Sequence, residues 1–131
     1  MSCDYVLTEV LPASPRAVYE AWLSSEAHGA MTGGSATIDP KAGGEYEAWD
    51  GYITGRTIAL EPGRRIVQSW RTSDFADSDP DSEIEVLLEP VEGGTKLTLH
   101  HRNVPDDQPD YENEGWQENY FAPMKEYFAG R

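Results

Sequence analysis

Two stretches in the second half of the chain alternate between apolar and polar residues with a period of two. Apolar side chains fall on every second position in residues 83–89, and the alternation returns in residues 97–101, where Leu97, Leu99 and His101 share one face. Successive side chains of a β-strand point to opposite faces, so each stretch predicts a strand with one buried and one solvated face. Such strands are typical of antiparallel sheets, and the intervening Gly93-Gly94 predicts a hairpin.

The first third of the chain predicts one strand followed by two short helices. Residues 5–11 form the strand, after which Ser14 is a candidate N-cap with Pro15 at the first helical position. A second helix begins near Ser25, and the Gly33-Gly34 pair ends it.

The middle of the chain predicts further short strands separated by turns. They lie at residues 36–39, 45–49, 52–61 and 65–72. The dipeptide Asp50-Gly51 is a strong turn signal, so the second and third of these strands are predicted to form a hairpin across it. The polar residues 73–82 then form a loop before the strand that follows.

The end of the chain predicts one long helix with a large aromatic face. Its apolar residues recur at spacings of three to five and are Trp116, Tyr120, Phe121, Met124, Tyr127 and Phe128. Gly115 weakens the start of this helix, and Pro123 removes a backbone donor from its interior. The sequence therefore predicts a kink near residues 119–122, or two helical pieces.

This order of elements predicts an α+β fold. A curved antiparallel sheet of about six or seven strands wraps around the C-terminal helix, and two short helices follow the first strand. The length of 131 residues suits a single domain spanning residues 1–131. A sheet that wraps around a helix often leaves a gap between the two, and such gaps bind ligands.

The charge of the chain excludes some classes of partner. Its net charge is −14, and residues 72–131 hold fifteen acids against four bases. Such a surface repels nucleic acid and disfavours anionic membranes. No apolar run approaches the ~20 residues needed to span a bilayer, and the N-terminus lacks the features of a signal peptide. With Cys3 as its one cysteine, the protein is expected in the cytoplasm.

The sequence predicts neither a catalytic set nor a metal or cofactor site. His100 and His101 point to opposite faces of one strand and cannot easily share a metal ion. The acidic run that begins at Asp77 has Ser82 and Leu88 where a calcium loop needs glycine and glutamate. The glycine pairs lack the spacing of a phosphate-binding loop.

Several residues are candidates for the lining of a ligand cavity between sheet and helix. They are Trp49, Trp70, Leu99, His101, Trp116, Tyr120 and Met124. Core packing is the more common explanation for such tryptophans and for a histidine on an apolar strand face. The inward position of Trp70 depends on the strand register, because Arg71 takes the opposite face; with the register reversed, Arg71 is a buried cation that needs Glu45 or Glu47 as a partner.

Three sequence blocks together resemble a known family. They are DPKAGGEY at 39–46, LEPGRRIVQSWR at 60–71, and a Gly-Trp pair at 115–116 followed by YFAPMKEYF at 120–128. In this order, with Val104-Pro105 between the last two, they resemble the activators of the 90-kDa heat-shock chaperone ATPase, and in particular the C-terminal domain of that cochaperone. The resemblance implies the START-like helix-grip fold, in which a curved antiparallel sheet grips a C-terminal helix around a cavity.

The resemblance leaves three functions open. The first is a non-enzymatic protein that binds a small apolar ligand between sheet and helix, as relatives in this superfamily do. The second is a cochaperone or stress-response protein with an Hsp90-type chaperone as partner. The third is an enzyme of the cyclase or hydrolase kind found elsewhere in the superfamily, for which His101 is the one candidate ionisable group in the cavity.

Overall fold

The computed structural model describes residues 2–105 and 115–129, which form seven strands and a small set of helices. In chain order they are β1 (Ser2–Leu11), α1 (Pro15–Leu23), α2 (Ser25–Thr32), β2 (Thr37–Ile38), β3 (Glu45–Ala48), β4 (Ile53–Glu61), β5 (Arg65–Thr72), β6 (Ser82–Val91), β7 (Gly94–Pro105), a π-helical turn (Gln117–Phe121) and α3 (Ala122–Ala129). The predicted α+β class, with two short helices after the first strand, is confirmed.

The strands form one curved antiparallel sheet in the order β1-β7-β6-β5-β4-β3-β2. Its centre has the register that the alternation predicts, because Ile84 pairs with His101 and Val86 with Leu99 on the inner face. Trp70 also points inward and is 3% exposed, whereas Arg71 lies on the outer face beside Asp81. The alternative register, with Arg71 buried, is therefore wrong.

Both short helices begin at serine caps, of which the sequence predicts the first, Ser14. The Ser14 hydroxyl accepts a hydrogen bond from the Ala17 backbone N–H, and Pro15 follows as the first helical residue. The Ser24 hydroxyl does the same for α2, which ends at Gly33 with a φ of 85°. These caps place α2 so that its buried face lies against the C-terminal helix.

The connection between β3 and β4 contains two overlapping turns. The Tyr52 N–H donates to the Trp49 carbonyl, so Asp50 and Gly51 are central residues of one turn, as the sequence predicts; the Gly51 N–H donates to the Ala48 carbonyl, which adds a turn centred on Trp49 and Asp50. Trp49 has a φ of 52° and Asp50 a φ of 57°, a region uncommon for bulky side chains. The Trp49 ring lies so close to Gly34 that a Cβ there would be 2.9 Å from it.

The C-terminal helix consists of two pieces, as Pro123 predicts. The Ala122 N–H donates to the Gln117 carbonyl, five residues back, so the first piece is a π-helical turn and α3 follows it. The wider turn accommodates the proline, which cannot donate in the helix interior. Of the predicted aromatic face, Tyr127 is only half-buried, whereas the remaining residues are buried against the sheet and α2.

The core lies between the concave face of the sheet and the helices. Its fully buried side chains include Leu11, Ile66, Val86, Leu97, Leu99 and Met124. No helix within residues 2–105 and 115–129 is long and apolar enough to cross a membrane.

Candidate functional site

A cavity of about 270 Å³ lies between the β3–β4 turn, β5 and the start of the C-terminal helix. Its described lining consists of Trp49, Tyr52, Ile53, Trp70, Gly115, Trp116, Asn119 and Tyr120. Ile53 and Tyr120 are buried, while Asn119 is exposed, so the cavity extends from the core to the surface. The walls are mainly aromatic, which is the composition typical of a small-molecule site.

The structure brings four of the seven predicted site residues together around this cavity. Trp49, Trp70, Trp116 and Tyr120 line it, whereas Leu99, Met124 and His101 do not. These three side chains are fully buried. Inward orientation, which strand parity predicts correctly, therefore did not distinguish a cavity wall from the core behind it.

His101 is separated from the cavity by two indole rings. Its ring centroid lies 4.7 Å from that of Trp70 and 5.6 Å from that of Trp116, and both of these residues line the cavity. The cyclase or hydrolase hypothesis required His101 to reach the cavity. These edge-to-face contacts place two indoles between that imidazole and the cavity.

His101 belongs to a group of four side chains that we name the inner cluster, consisting of Tyr5, Ser82, His101 and Trp116. The Ser82 hydroxyl donates to the Trp70 carbonyl at 2.6 Å, so it accepts from His101 Nε2 at 2.9 Å. Nδ1 is then an acceptor for the Tyr5 hydroxyl at 2.8 Å and for Trp116 Nε1 at 3.1 Å. Burial lowers the pKa of His101 to about 3, which keeps the imidazole neutral.

A second buried histidine contacts the cavity wall, and the sequence did not reveal it. His28 Nδ1 lies 2.8 Å from the Trp22 carbonyl, which can only accept, so Nδ1 carries the proton. Nε2 must then accept from the Tyr120 hydroxyl, 2.9 Å away. Burial lowers the pKa of His28, with the bond to Trp22 opposing the change in part. We name Trp22, His28 and Tyr120 the cavity cluster.

Tyr120 remains a protonated phenol in this position. Burial raises the pKa of Tyr120, and the side chain of Trp49 offsets a small part of that rise. The phenol therefore holds its hydrogen at neutral pH and donates it to His28. Its ring lies 4.9 Å from that of Trp116 and 5.3 Å from that of Trp22, which fixes the hydroxyl at the cavity wall.

Hydrogen bonds continue from the cavity cluster into the sheet. Trp22 Nε1 donates to Gln68 Oε1 at 3.1 Å, and Gln68 Nε2 donates to Thr57 Oγ1 at 3.2 Å. Gln68 and Thr57 are both buried in the sheet. This series of hydrogen bonds connects α1 to β5 and β4. It therefore restrains the Trp22 ring against which Tyr120 packs.

The rim of the cavity contains residues that the sequence did not indicate. Tyr52 follows the β3–β4 turn and donates to Asp74 Oδ2 at 2.6 Å. Asn119 is an exposed residue of the π-helical turn, one turn from Trp116. The sequence could have indicated that His28 is buried, because Met31 and Thr32 follow it by three and four residues on the same helical face. Nothing in the sequence, however, indicated its contact with Tyr120.

Metal binding finds no support in the described part of the chain. Residues 2–105 and 115–129 contain no group of three histidine, cysteine or carboxylate side chains placed to hold an ion. The adjacent histidines lie on opposite faces of β7, with His101 buried and His100 half-buried. What the cavity offers chemically is aromatic surface, two tyrosine hydroxyls and the side-chain amide of Asn119 at its mouth.

Comparison with protein families matches residues 12–129 to the family described as "Activator of Hsp90 ATPase homolog 1-like protein". The human "Activator of 90 kDa heat shock protein ATPase homolog 1" is 28% identical over 128 residues, which is 98% of this chain and 38% of that protein. The Dictyostelium discoideum homologue is 26% identical over 125 residues, covering 94% of this chain and 32% of that protein. The chain thus spans about a third of the length of these relatives.

Solved structures agree with this assignment. A crystal structure described as an Hsp90 activator from Plasmodium falciparum is 26% identical, with a TM-score of 0.82 over 97% of this chain and 96% of that one. A Mesorhizobium loti protein at 17% identity and a TM-score of 0.83, covering 98% of both chains, shows the fold alone. The family match covers most of the residues that build the sheet, the cavity and both histidine clusters, and the chain belongs to the activator of Hsp90 ATPase homolog 1-like family, with the helix-grip fold.

Proposed function

We propose that this domain binds a small, mainly apolar molecule in the cavity between β5, the β3–β4 turn and the C-terminal helix. The observation that carries this proposal is the lining, in which three indoles and two phenols surround about 270 Å³. That volume is slightly below the roughly 300–1,000 Å³ typical of ligand pockets and suits a molecule of about two fused rings. Aromatic walls favour such a molecule through apolar burial and ring stacking.

Hydrogen bonds within the protein hold the walls in place, which supports the proposal. Trp116 Nε1 donates to the Tyr5 hydroxyl, and Tyr120 donates to His28, and neither acceptor residue belongs to the described lining. A site whose side chains are already ordered loses less conformational entropy on binding. The interactions that fix these rings also leave their surfaces facing the cavity.

Plugging the mouth of the cavity tests the proposal. Asn119 lines the mouth and is exposed, so Asn119→Phe fills it with little change in the core. Glu118→Phe adds the same ring at the neighbouring exposed position, which is outside the lining, and serves as the matched control. Isothermal titration calorimetry with naphthylmethanol is expected to show binding to the wild type and to Glu118→Phe, with at least about tenfold weaker binding to Asn119→Phe.

Native mass spectrometry of freshly purified protein complements this titration. A copurifying molecule that is lost in Asn119→Phe and retained in Glu118→Phe supports binding in the cavity. If the wild type carries no ligand and naphthylmethanol does not bind at millimolar concentration, the cavity does not have this function.

A second function is supported by the relatives. The human relative and the Plasmodium falciparum structure are named as Hsp90 activators, and both align with nearly the whole of this chain. We propose that the domain contacts an Hsp90-type chaperone and raises its ATPase rate. The strongly acidic surface would meet a basic surface on the partner, so binding is expected to weaken with salt.

The chaperone's ATPase rate, measured with and without this protein at low and at high salt, tests the second function. Asn119→Phe serves as a further arm because it plugs the cavity and leaves the charge unchanged. Stimulation that survives in this variant makes the two functions independent. An unchanged ATPase rate at saturating protein excludes the second function.

A further inference from the structure

We infer that the cavity takes ligands whose apolar body carries a carboxamide or lactam group, and that the side-chain amide of Asn119 selects this group. This inference rests on the proposed ligand-binding function and adds the chemical class of the ligand. It comes from the hydrogen bonds of the polar side chains in the lining and from the position of Asn119 on the π-helical turn.

The first step is that aromatic lining residues bond to the protein through their polar atoms. Trp116 Nε1 donates to a buried tyrosine hydroxyl at 3.1 Å. The Tyr120 hydroxyl donates to a buried imidazole at 2.9 Å and accepts from the Trp49 side chain. The Tyr52 hydroxyl donates to a carboxylate at 2.6 Å. These four side chains thus contribute ring surface to the cavity, while their polar atoms hold the walls together.

Asn119 differs from the aromatic residues of the lining. Its side chain lines the cavity and is exposed, and it makes no hydrogen bond to another residue in the described ranges 2–105 and 115–129. An asparagine side chain carries a carbonyl acceptor and an NH₂ group with two donors. A ligand at the mouth can therefore bond to this amide without displacing a bond within the protein.

The π-helical turn presents the Asn119 amide at the mouth. Helical side chains lean toward the turn before them, and Gly115, four residues earlier, has no side chain to cover the amide. Gly115 and Asn119 both line the cavity, together with Trp116 between them. The amide therefore belongs to the same wall as the Trp116 indole. π-Helical turns of this kind are frequent at functional sites.

The two ends of the cavity differ in polarity, which orients a ligand. Ile53 and Tyr120 are buried, whereas Asn119 lies at the exposed mouth. An apolar body gains most by entering first and covering the rings, so the polar group of the ligand stays beside Asn119. An asparagine amide presents a donor and an acceptor side by side, and it pairs well with a planar group that does the same, as it does with the edge of adenine. A carboxamide or a lactam is such a group.

Other polar groups match this position less well. A ketone of the same shape can only accept, so it uses one half of the asparagine amide. A carboxylate also only accepts, and it brings negative charge to a chain of net charge −14, beside the exposed Glu118. The described lining includes no lysine or arginine that would offset this charge. The cavity should therefore prefer the amide to a ketone or a carboxylate on the same ring.

Isothermal titration calorimetry at pH 7 tests this preference with 2-naphthamide and 2-acetylnaphthalene. These probes have the same ring and nearly the same shape, and differ by an NH₂ group in place of a methyl group. Asn119→Leu keeps the approximate size of the side chain and removes its amide. The ratio of naphthamide to acetylnaphthalene affinity is expected to fall by about threefold to tenfold in this variant. Glu118→Leu, at the neighbouring exposed position outside the lining, is the matched control and should leave the ratio unchanged.

Asn119→Asp separates the acceptor from the donor. The carboxylate still accepts from the NH₂ group of naphthamide, but it has no hydrogen for the ketone of acetylnaphthalene. The affinity ratio should therefore stay at or above the wild-type value, in contrast to its fall in Asn119→Leu. Gln117→Glu adds the same charge at an exposed position of this turn outside the lining, and should not change the ratio.

The outcomes distinguish this inference from the function on which it rests. If both probes bind but Asn119→Leu leaves their ratio unchanged, or if 2-naphthoate binds the wild type as tightly as 2-naphthamide, the inference is overturned and the ligand-binding function stands. A ratio that falls equally in Asn119→Asp and Asn119→Leu also overturns it, because the acceptor then plays no part. If none of these probes binds the wild type, the proposed ligand-binding function itself fails.

Discussion

The inner cluster and the cavity cluster use the same chemistry for different purposes. Each contains a neutral imidazole that accepts from a tyrosine hydroxyl, at 2.8 Å for His101 and Tyr5 and at 2.9 Å for His28 and Tyr120. In the inner cluster the tyrosine oxygen accepts from Trp116 Nε1, so the interactions close within the protein. In the cavity cluster the tyrosine lies at the wall of a cavity.

This difference separates the residues that stabilise the fold from those that can also contact a ligand. Closing a buried polar network within the protein stabilises the fold, because each donor meets an acceptor away from water. Placing one hydroxyl at a cavity wall keeps part of its hydrogen-bonding capacity for a ligand. Changes to Tyr5, Ser82 or His101 of the inner cluster, which do not line the cavity, should therefore affect stability alone, and changes to Tyr120 should affect stability and ligand binding together.

The largest expected effect comes from removing the centre of the inner cluster. His101→Ala deletes a fully buried ring and leaves Ser82, Tyr5 and Trp116 without their shared partner. The free energy of unfolding is expected to fall by about 3 kcal/mol or more, as measured by chemical denaturation. His100→Ala, on the opposite face of β7, is the matched control and should change it by no more than about 0.5 kcal/mol. Similar losses in the two variants would show that the inner cluster does not stabilise the fold.

The second prediction concerns the pH dependence of stability. Burial lowers the pKa of His101 from 6.5 to about 3, so the folded protein resists protonation that the unfolded chain accepts. The unfolded state then binds more protons below pH 6.5, and stability falls as the pH is lowered. Between pH 6.5 and pH 5, before most carboxylates titrate, His101 alone should account for a loss of about 2 kcal/mol.

Denaturation midpoints at pH 7.5, 6.5, 5.5 and 5 measure this loss. His28 contributes in the same direction because burial also lowers its pKa. His101→Gln should therefore lose only part of the slope. A stability curve that is flat from pH 6.5 to pH 5 would contradict the buried neutral state of both imidazoles.

The inward position of His101, at the centre of the inner cluster, could be predicted from the sequence. Alternation along β6 and β7 places Ile84, Leu99 and His101 on one face, and the pairing of Ile84 with His101 agrees with it. Alternation could not predict how far His101 lies from the cavity. Parity assigns a face, whereas the presence of Trp70 and Trp116 between His101 and the cavity depends on how the C-terminal helix packs on the sheet.

The cavity cluster could not be predicted from the sequence, for a related reason. His28 and Tyr120 are 92 residues apart, and each alone reads as part of a buried helical face. Their contact follows from the packing of α2 against the C-terminal helix, which no local pattern specifies. The Asp50-Gly51 turn follows from a local signal, whereas the overlapping turn centred on Trp49 and Asp50 involves contacts with Gly34 and Ser35, which no local pattern specifies.

The third prediction compares the two tyrosines directly. Tyr120→Phe leaves buried His28 Nε2 without a donor and should lower the free energy of unfolding by about 1–2 kcal/mol. Tyr5→Phe should have a smaller effect, because Trp116 Nε1 lies 3.1 Å from His101 Nδ1 and still donates to it. The affinity for naphthylmethanol is expected to fall in Tyr120→Phe and to stay unchanged in Tyr5→Phe. Equal affinities in the two variants would remove the functional distinction between the clusters.

The smallest expected effect on stability comes from the cavity wall at the turn. Trp49 is half-buried and has a φ of 52°, so its left-handed backbone costs about 1–2 kcal/mol that glycine does not incur. Trp49→Gly loses the partial burial of the ring and relieves this strain, and the two changes should nearly cancel. The free energy of unfolding is expected to stay within about 1 kcal/mol of the wild type, while naphthylmethanol binds about tenfold more weakly.

Asp50→Gly distinguishes this effect from a general change in the turn. Asp50 also has a positive φ, of 57°, and its side chain is exposed and bonded to Ser35 outside the cavity lining. Glycine there alters the same turn and keeps the Trp49 ring, so the affinity for the uncharged naphthylmethanol should be retained. If both glycine variants weaken binding equally, the conformation of the turn rather than the indole determines affinity. If Trp49→Gly destabilises the fold as much as His101→Ala does, the cavity wall is as much a part of the stabilising core as the inner cluster, and the division between the two regions is wrong.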